Sequence, residues 1–194
     1  VSFYNLILNN WDNCHFFCKY LFAKNNSCEY LIFPSSVDTL TVDKMCVRGN
    51  EYFRIFQPHS SIIRSLILTN SMIFKNRPFG NINYGISIPL KDSFIIRNSE
   101  LSLGNLYDPS ISSPLPKIFI FQNNHLSGQF DRKLFFASGK GTFLDNNSFD
   151  YLDCASFPTS ANIRCGPNNL IGIDPLFRDT ANGDYTLLPC SPLI

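Results

Sequence analysis

The residues able to do chemistry in this chain are a few scattered carboxylates, bases and thiols. Asp92, Asp131, Asp145, Asp150 and Asp153 are the candidate acids. Clustered carboxylates can divide general-acid and general-base work, or hold a divalent cation between them. Asp150 and Asp153 are close enough in sequence to face one loop, but the chain contains no Asp-Asp or Asp-x-Asp pair. Arg97 and Gln122, with Arg64 and Lys117 nearby, offer a cation beside an amide, a combination that can bind a sugar carboxylate. Cys14-His15-Phe16-Phe17-Cys18, followed by Cys28 and Cys46, has the residue types of a metal site. Structural zinc wants two tight ligand pairs; the second is missing, and the flanking Phe residues read as core. His59 and His125 have no Ser, Cys or Asp partner nearby in sequence with which to build a nucleophilic site. The sequence therefore assigns no catalytic residue, no cofactor and no metal ligand.

The elements that would position such groups are strands. Of 194 residues, 44% are hydrophobic and 19 are Phe, which supplies one sizeable core. Charged residues make up 16%, against roughly 25% in an average soluble domain, and about twenty Asn fill much of the gap. A chain rich in Phe, Ile, Leu and Asn and poor in Ala, Glu and Lys favours strands joined by turns. The net charge of +1 and the lack of any Lys/Arg run argue against nucleic acid as a partner. No apolar stretch reaches the ~18 residues of a membrane span. Seven cysteines fit an oxidising, extracellular compartment. Cys154 and Cys165 flank a short Pro- and Ser-containing loop that a disulfide would close; burial of some thiols as apolar fillers is the alternative. The chain opens at Val1 inside a strand and closes at Ile194 in an apolar segment, so it reads as a piece of a longer protein.

One pattern repeats: an apolar residue, two variable positions, Asn, usually Asn or Ser, and an apolar residue two positions on. The copies are Leu6–Asn10, where Asp12 stands at the final apolar position, Phe22–Asn26, Val47–Glu51, Ile67–Ser71, Ile95–Ser99, Ile120–Asn124 and Phe143–Asn147. Their Asn residues recur every roughly 16 to 28 positions, the period of a solenoid. Asn tolerates the left-handed backbone of a sharp bend. Stacked copies would align these amides into a ladder, with the apolar residues on either side of the bend pointing inward as columns of Ile, Leu and Phe. The pattern predicts a right-handed parallel β-helix over residues 1–194, in which Asp145 falls in register with Arg97 and Gln122. Residues 107–117, with three Pro, read as a projecting loop.

The C-terminal stretch is the most specific. It runs Cys165-Gly166-Pro167-Asn168-Asn169-Leu170, Asp174-Pro175-Leu176-Phe177, Asn182-Gly183-Asp184-Tyr185-Thr186-Leu187 and Cys190-Ser191-Pro192-Leu193-Ile194. Asp174 and Asp184 read as turn caps. In this order the motifs resemble the closing rung of bacterial β-helix-repeat surface proteins of the pectin-lyase-like superfamily, with 154–194 as closing rung and terminal segment. The resemblance covers about the last fifty residues and implies a β-helix in a secreted or surface-displayed protein. A strong fold signal beside a missing catalytic cluster points to a structural or adhesive role, with loops presented to a polysaccharide or cell-surface glycan. Its alternative is a carbohydrate-active enzyme, a polysaccharide lyase or glycoside hydrolase, for which the family would use clustered Asp, and Ca²⁺ in the lyase form.

Overall fold

The computed structural model describes residues 6–8, 15–24, 27–34, 37–48, 51–56, 63–74, 77–78, 84–86, 89–102, 105–107, 116–127, 141–150, 162–179 and 184–192. These residues form a parallel β-helix. The turns stack strands into three parallel sheets, and beyond Tyr107 the described strands of these sheets belong to the second and third alone. The first sheet stacks Leu6–Leu8, Ser27–Pro34, Glu51–Phe56, Tyr84–Ile86 and Asn105–Tyr107, with Arg77–Pro78 beside the third of these. The second stacks His15–Lys19, Thr39–Asp43, Ile63–Thr69, Leu90–Arg97, Ile118–Gln122, Gly141–Asp145 and Ile163–Cys165. The third stacks Phe22–Lys24, Cys46–Arg48, Met72–Phe74, Glu100–Ser102, His125–Ser127, Ser148–Phe149 and Leu170–Ile171. A separate antiparallel hairpin, Phe177–Asp179 with Asp184–Leu187, follows the last turn.

Alternation along each strand sends every second side chain inward. In the second sheet one buried column runs Leu40, Leu66, Phe94, Phe119 and Thr142, and the next Val42, Leu68, Ile96, Phe121 and Leu144. The third sheet adds Val47, Ile73, Leu101, Leu126 and Phe149. Phe94 meets Phe119 and Phe121 edge-on at 5.7 and 5.9 Å between ring centres. No turn could bury this surface alone, so the stability is the sum of turn-to-turn contacts.

The corner between the second and third sheets is where the repeat resides. Asn70, Asn98, Asn123 and Asn146 take positive φ of 51–55°, the left-handed bend expected of them. Asn123 Nδ2 donates to Asn98 Oδ1 at 3.1 Å, and Asn98 Nδ2 to Asn70 Oδ1 at 3.2 Å. Asn70 Nδ2 then donates to Asp43 Oδ1 at 2.6 Å. This outer ladder is exposed. A second, buried ladder stands one residue on: Asn124 Nδ2 donates to Asn147 Oδ1 and Asn147 Nδ2 to Asn169 Oδ1, both at 3.1 Å. The same two amides also donate to the carbonyls of Ile96 and Phe121 at 2.9 and 2.8 Å. Ser71 and Ser99 take the place of Asn on the earlier turns.

Two details differ from the sequence reading. The copies at Leu6, Phe22 and Val47 end strands of the first and third sheets, not of the second. The residues equivalent to Asn70 on the earlier turns are Tyr20 and Lys44, with φ of 66° and 58°. Apolar-x-x-Asn suits any corner of the solenoid, and only register shows which corner it occupies. The leading apolar residues Ile67, Ile95, Ile120 and Phe143 also face outward, half-buried, because they lie two positions before an outward-facing corner residue. The neighbours Leu68, Ile96, Phe121 and Leu144 carry the core instead.

Candidate functional site

The outer face of the third sheet carries a column of unusual composition. Register aligns Met72, Glu100, His125, Ser148 and Leu170 on successive turns. Each lies next to a core residue such as Leu101, Leu126 or Phe149 and therefore points away from the core. An outward side chain would ordinarily be solvated, yet Glu100 and His125 are each only 8% exposed and Ser148 1%. The terminal hairpin covers them: the Phe177 ring sits edge-on to His125, 5.5 Å between centres. Leu176, with φ of 55°, turns the chain into this hairpin, and its N–H donates to Asp174 Oδ1 at 2.9 Å. Ser191 Oγ donates to the Pro175 carbonyl at 2.6 Å and fastens the far end.

Between hairpin and solenoid lies a cleft of about 880 Å³. Its floor is Glu100, His125 and Ser148; one wall is the Asn corner; Phe177, Leu187 and Pro192 form the other side. His125 Nε2 stands 3.9 Å from Glu100 Oε1 and 3.9 Å from Asp150 Oδ1. Burial, and then the charge of Asp150, push the Glu100 carboxyl up to about 8. Burial lowers the His125 imidazole, opposed by the charges of Asp150 and Asp174. At neutral pH Glu100 is thus a carboxylic acid and His125 an uncharged imidazole. Their approach is a contact of neutral groups, not an ion pair.

Among the described residues, three buried side-chain atoms have no hydrogen-bond partner: Glu100 Oε2, His125 Nδ1 and Ser148 Oγ. All three belong to this column. Each such atom costs roughly 1–3 kcal/mol relative to a satisfied one, and a group of them in a cleft points to polar atoms held ready for a ligand.

The other candidates fall elsewhere. Asp92 is bound by Arg64 Nε at 2.7 Å and Lys117 Nζ at 2.9 Å, an exposed cluster near the starts of three adjacent interior strands of the second sheet. The hydrogen bonds from Lys117 and then Arg64 hold its carboxyl well below the usual range. Arg97, Gln122 and Asp145 are in register, as the repeat predicts, on the outer face of the second sheet. His15 and Cys18 point to opposite faces of their strand. His15 Nε2 is 2.7 Å from Thr41 Oγ1, and Cys18 packs against the core. Phe16 also meets the core, whereas Phe17 is 56% exposed, against the reading of both as core. Asp184 caps its turn as expected, accepting from the Thr186 N–H at 3.0 Å. Among the described residues no group of three His, Cys, Asp or Glu side chains could hold a metal ion. Cys14, His59, Asp131, Asp153, Cys154 and most of the 107–117 loop lie outside the described residues. Cys165 is disulfide-bonded.

The sequence reading of His125 as isolated is overturned. Its register neighbours Glu100 and Ser148 lie one turn away on either side, 25 and 23 residues distant by the ladder spacing. Asp150, two residues after Ser148, was already a candidate acid. The available signal was the register itself: aligning Ser99, Asn124 and Asn147 puts Glu100, His125 and Ser148 in one column.

Fold and cleft together define a parallel β-helix with a side cleft roofed by its terminal hairpin. No family model, curated protein or solved structure matches the chain. No helix among the described residues is long and apolar enough to cross a membrane.

Proposed function

We propose that this chain is a β-helix segment of a secreted or surface-displayed protein, structural and adhesive in role, that holds a glycan in the cleft beneath its terminal hairpin. The observation that carries this reading is the lining of the cleft. Asn98, Asn123 and Asn146, one turn apart at the corner, line the cleft together with the apolar Phe177 and Leu187. Sugars need this pairing, with amides for hydroxyl groups and an aromatic or aliphatic surface for the C–H face of the ring. The extracellular setting draws support from Cys165 as a disulfide half, which persists in an oxidising compartment. We assign Cys154 as its partner.

A second reading, a carbohydrate-active enzyme, is favoured by one observation: carboxyl groups of Glu100 and Asp150 both stand 3.9 Å from one imidazole nitrogen. Paired acids in unlike environments are the usual apparatus of glycoside cleavage.

A panel of polysaccharides, scored for binding and for new reducing or unsaturated ends, separates the two. Binding without new ends, weakened by Phe177→Ala, is the expected result. New chain ends would transfer the assignment to the enzyme, and absence of binding across the panel would remove the glycan from the proposal.

A further inference from the structure

We propose that Ser148, His125 and Asp150 form an acyl-transfer site that removes short acyl esters from the carbohydrate held in the cleft. The substrate class rests on the glycan reading above; the chemistry rests on the column itself.

Acyl transfer needs a hydroxyl nucleophile, a base with an open nitrogen, and a carboxylate on the other side of that base. His125 Nε2 is the nitrogen that approaches a carboxylate, Asp150 Oδ1 at 3.9 Å. His125 Nδ1 is the nitrogen without a partner, and Ser148 Oγ on the next turn is the hydroxyl without one. The two atoms the reaction would use are therefore two of the three buried side-chain atoms left unpartnered among the described residues. Parallel register places the two residues side by side, about 4.8 Å apart in backbone spacing. Phe177 against the imidazole limits the ring's rotation, and both residues line the cleft. Contacts of this kind commonly tighten only when substrate is bound.

In the first half-reaction Ser148 Oγ bonds to the ester carbonyl carbon while its proton passes to His125 Nδ1. The carbonyl carbon's bond to the alkoxy oxygen breaks, and the departing alcohol takes the proton from His125. In the second, water bonds to the acyl carbon and gives a proton to the same nitrogen. The bond to Ser148 breaks, the carboxylic acid leaves, and the proton returns to Oγ. The net change is ester plus water to acid plus alcohol. Asp150 is a positioning residue, orienting the imidazole and stabilising its charged form.

The test uses the whole chain with two probes, p-nitrophenyl acetate and a fluorophosphonate label located by mass spectrometry. The expected result is turnover of the acetate and a label on Ser148. Ser148→Ala, close in size to the parent, should lose turnover by at least about 100-fold. Asp150→Asn should lower kcat with KM held, and Asp150→Glu should recover part of the loss. Failure to label Ser148, or Ser148→Ala turning over at the parent rate, overturns the proposal. Labelling is read on the parent chain, so it decides the matter even where a variant folds poorly. Glycan binding by the parent reports separately on the cleft's ligand. Binding without labelling sinks the chemistry and keeps the glycan, whereas labelling without binding does the reverse.

Discussion

Replacing Glu100 with Gln should remove a defined part of this protein's pH dependence. Glu100 keeps its proton in the folded state up to about 8, against an ordinary value of 4.5. Unfolding therefore releases a proton throughout that interval, and folding stability falls as pH rises across it. The contribution is fully present below 4.5 and is lost as pH rises through the folded value of about 8. At 1.36 kcal/mol per pH unit, the whole interval is worth on the order of 5 kcal/mol. His125 acts with the opposite sign. Its folded value is lowered from 6.5, so its contribution is present above 6.5 and is lost as pH falls through the folded value. Below pH 6.5 the two slopes oppose each other; above it Glu100 acts alone. Between pH 6.5 and 8 the Glu100 contribution comes to about 2 kcal/mol. For a chain of this length that is about 4–8 °C in Tm. Thermal melts followed by circular dichroism at those two pH values should show this drop in the parent and its loss in Glu100→Gln, which mimics the neutral acid. An equal drop in parent and variant would refute the assignment of Glu100 as a buried, protonated carboxyl.

Other perturbations separate the parts of the corner and the closing turn. Asn147→Ala removes the donor to the Phe121 carbonyl and a bond in the buried ladder; chemical denaturation should show a loss of roughly 1–3 kcal/mol. Asn123→Gly keeps the positive φ of 55° at an exposed site and should unfold within about 1 kcal/mol of the parent, whereas Asn123→Val should cost more, because a β-branched residue resists that backbone. Cys154→Ser and Cys165→Ser should each lower stability by about 2–4 kcal/mol and by the same amount as the double variant. Unequal losses would show that Cys165 has another partner. Asp92→Asn, which breaks the exposed contacts with Arg64 and Lys117, should leave the thermal midpoint unchanged within measurement, since water already screens those charges.

The sequence by itself determined the class of fold. Phe, Ile and Leu without good helix formers could only make strands, and Asn recurring at a solenoid period placed the bends. The left-handed Asn70, Asn98, Asn123 and Asn146 and the register of Arg97, Gln122 and Asp145 were legible for that reason. Tyr20 and Lys44 were not, because neither residue type advertises the positive φ that stacking imposes on it. The site was hidden for a related reason. Glu100, His125 and Ser148 come from three successive turns whose lengths differ, 25 residues for one step and 23 for the next. No fixed spacing therefore marks them as neighbours. Their burial was less legible still, since outward positions on a β-helix are solvated by default. The terminal hairpin, with Phe177 edge-on to His125, shields the column from water. That removal of water is what holds the proton on Glu100, keeps His125 neutral and turns three ordinary surface residues into a site.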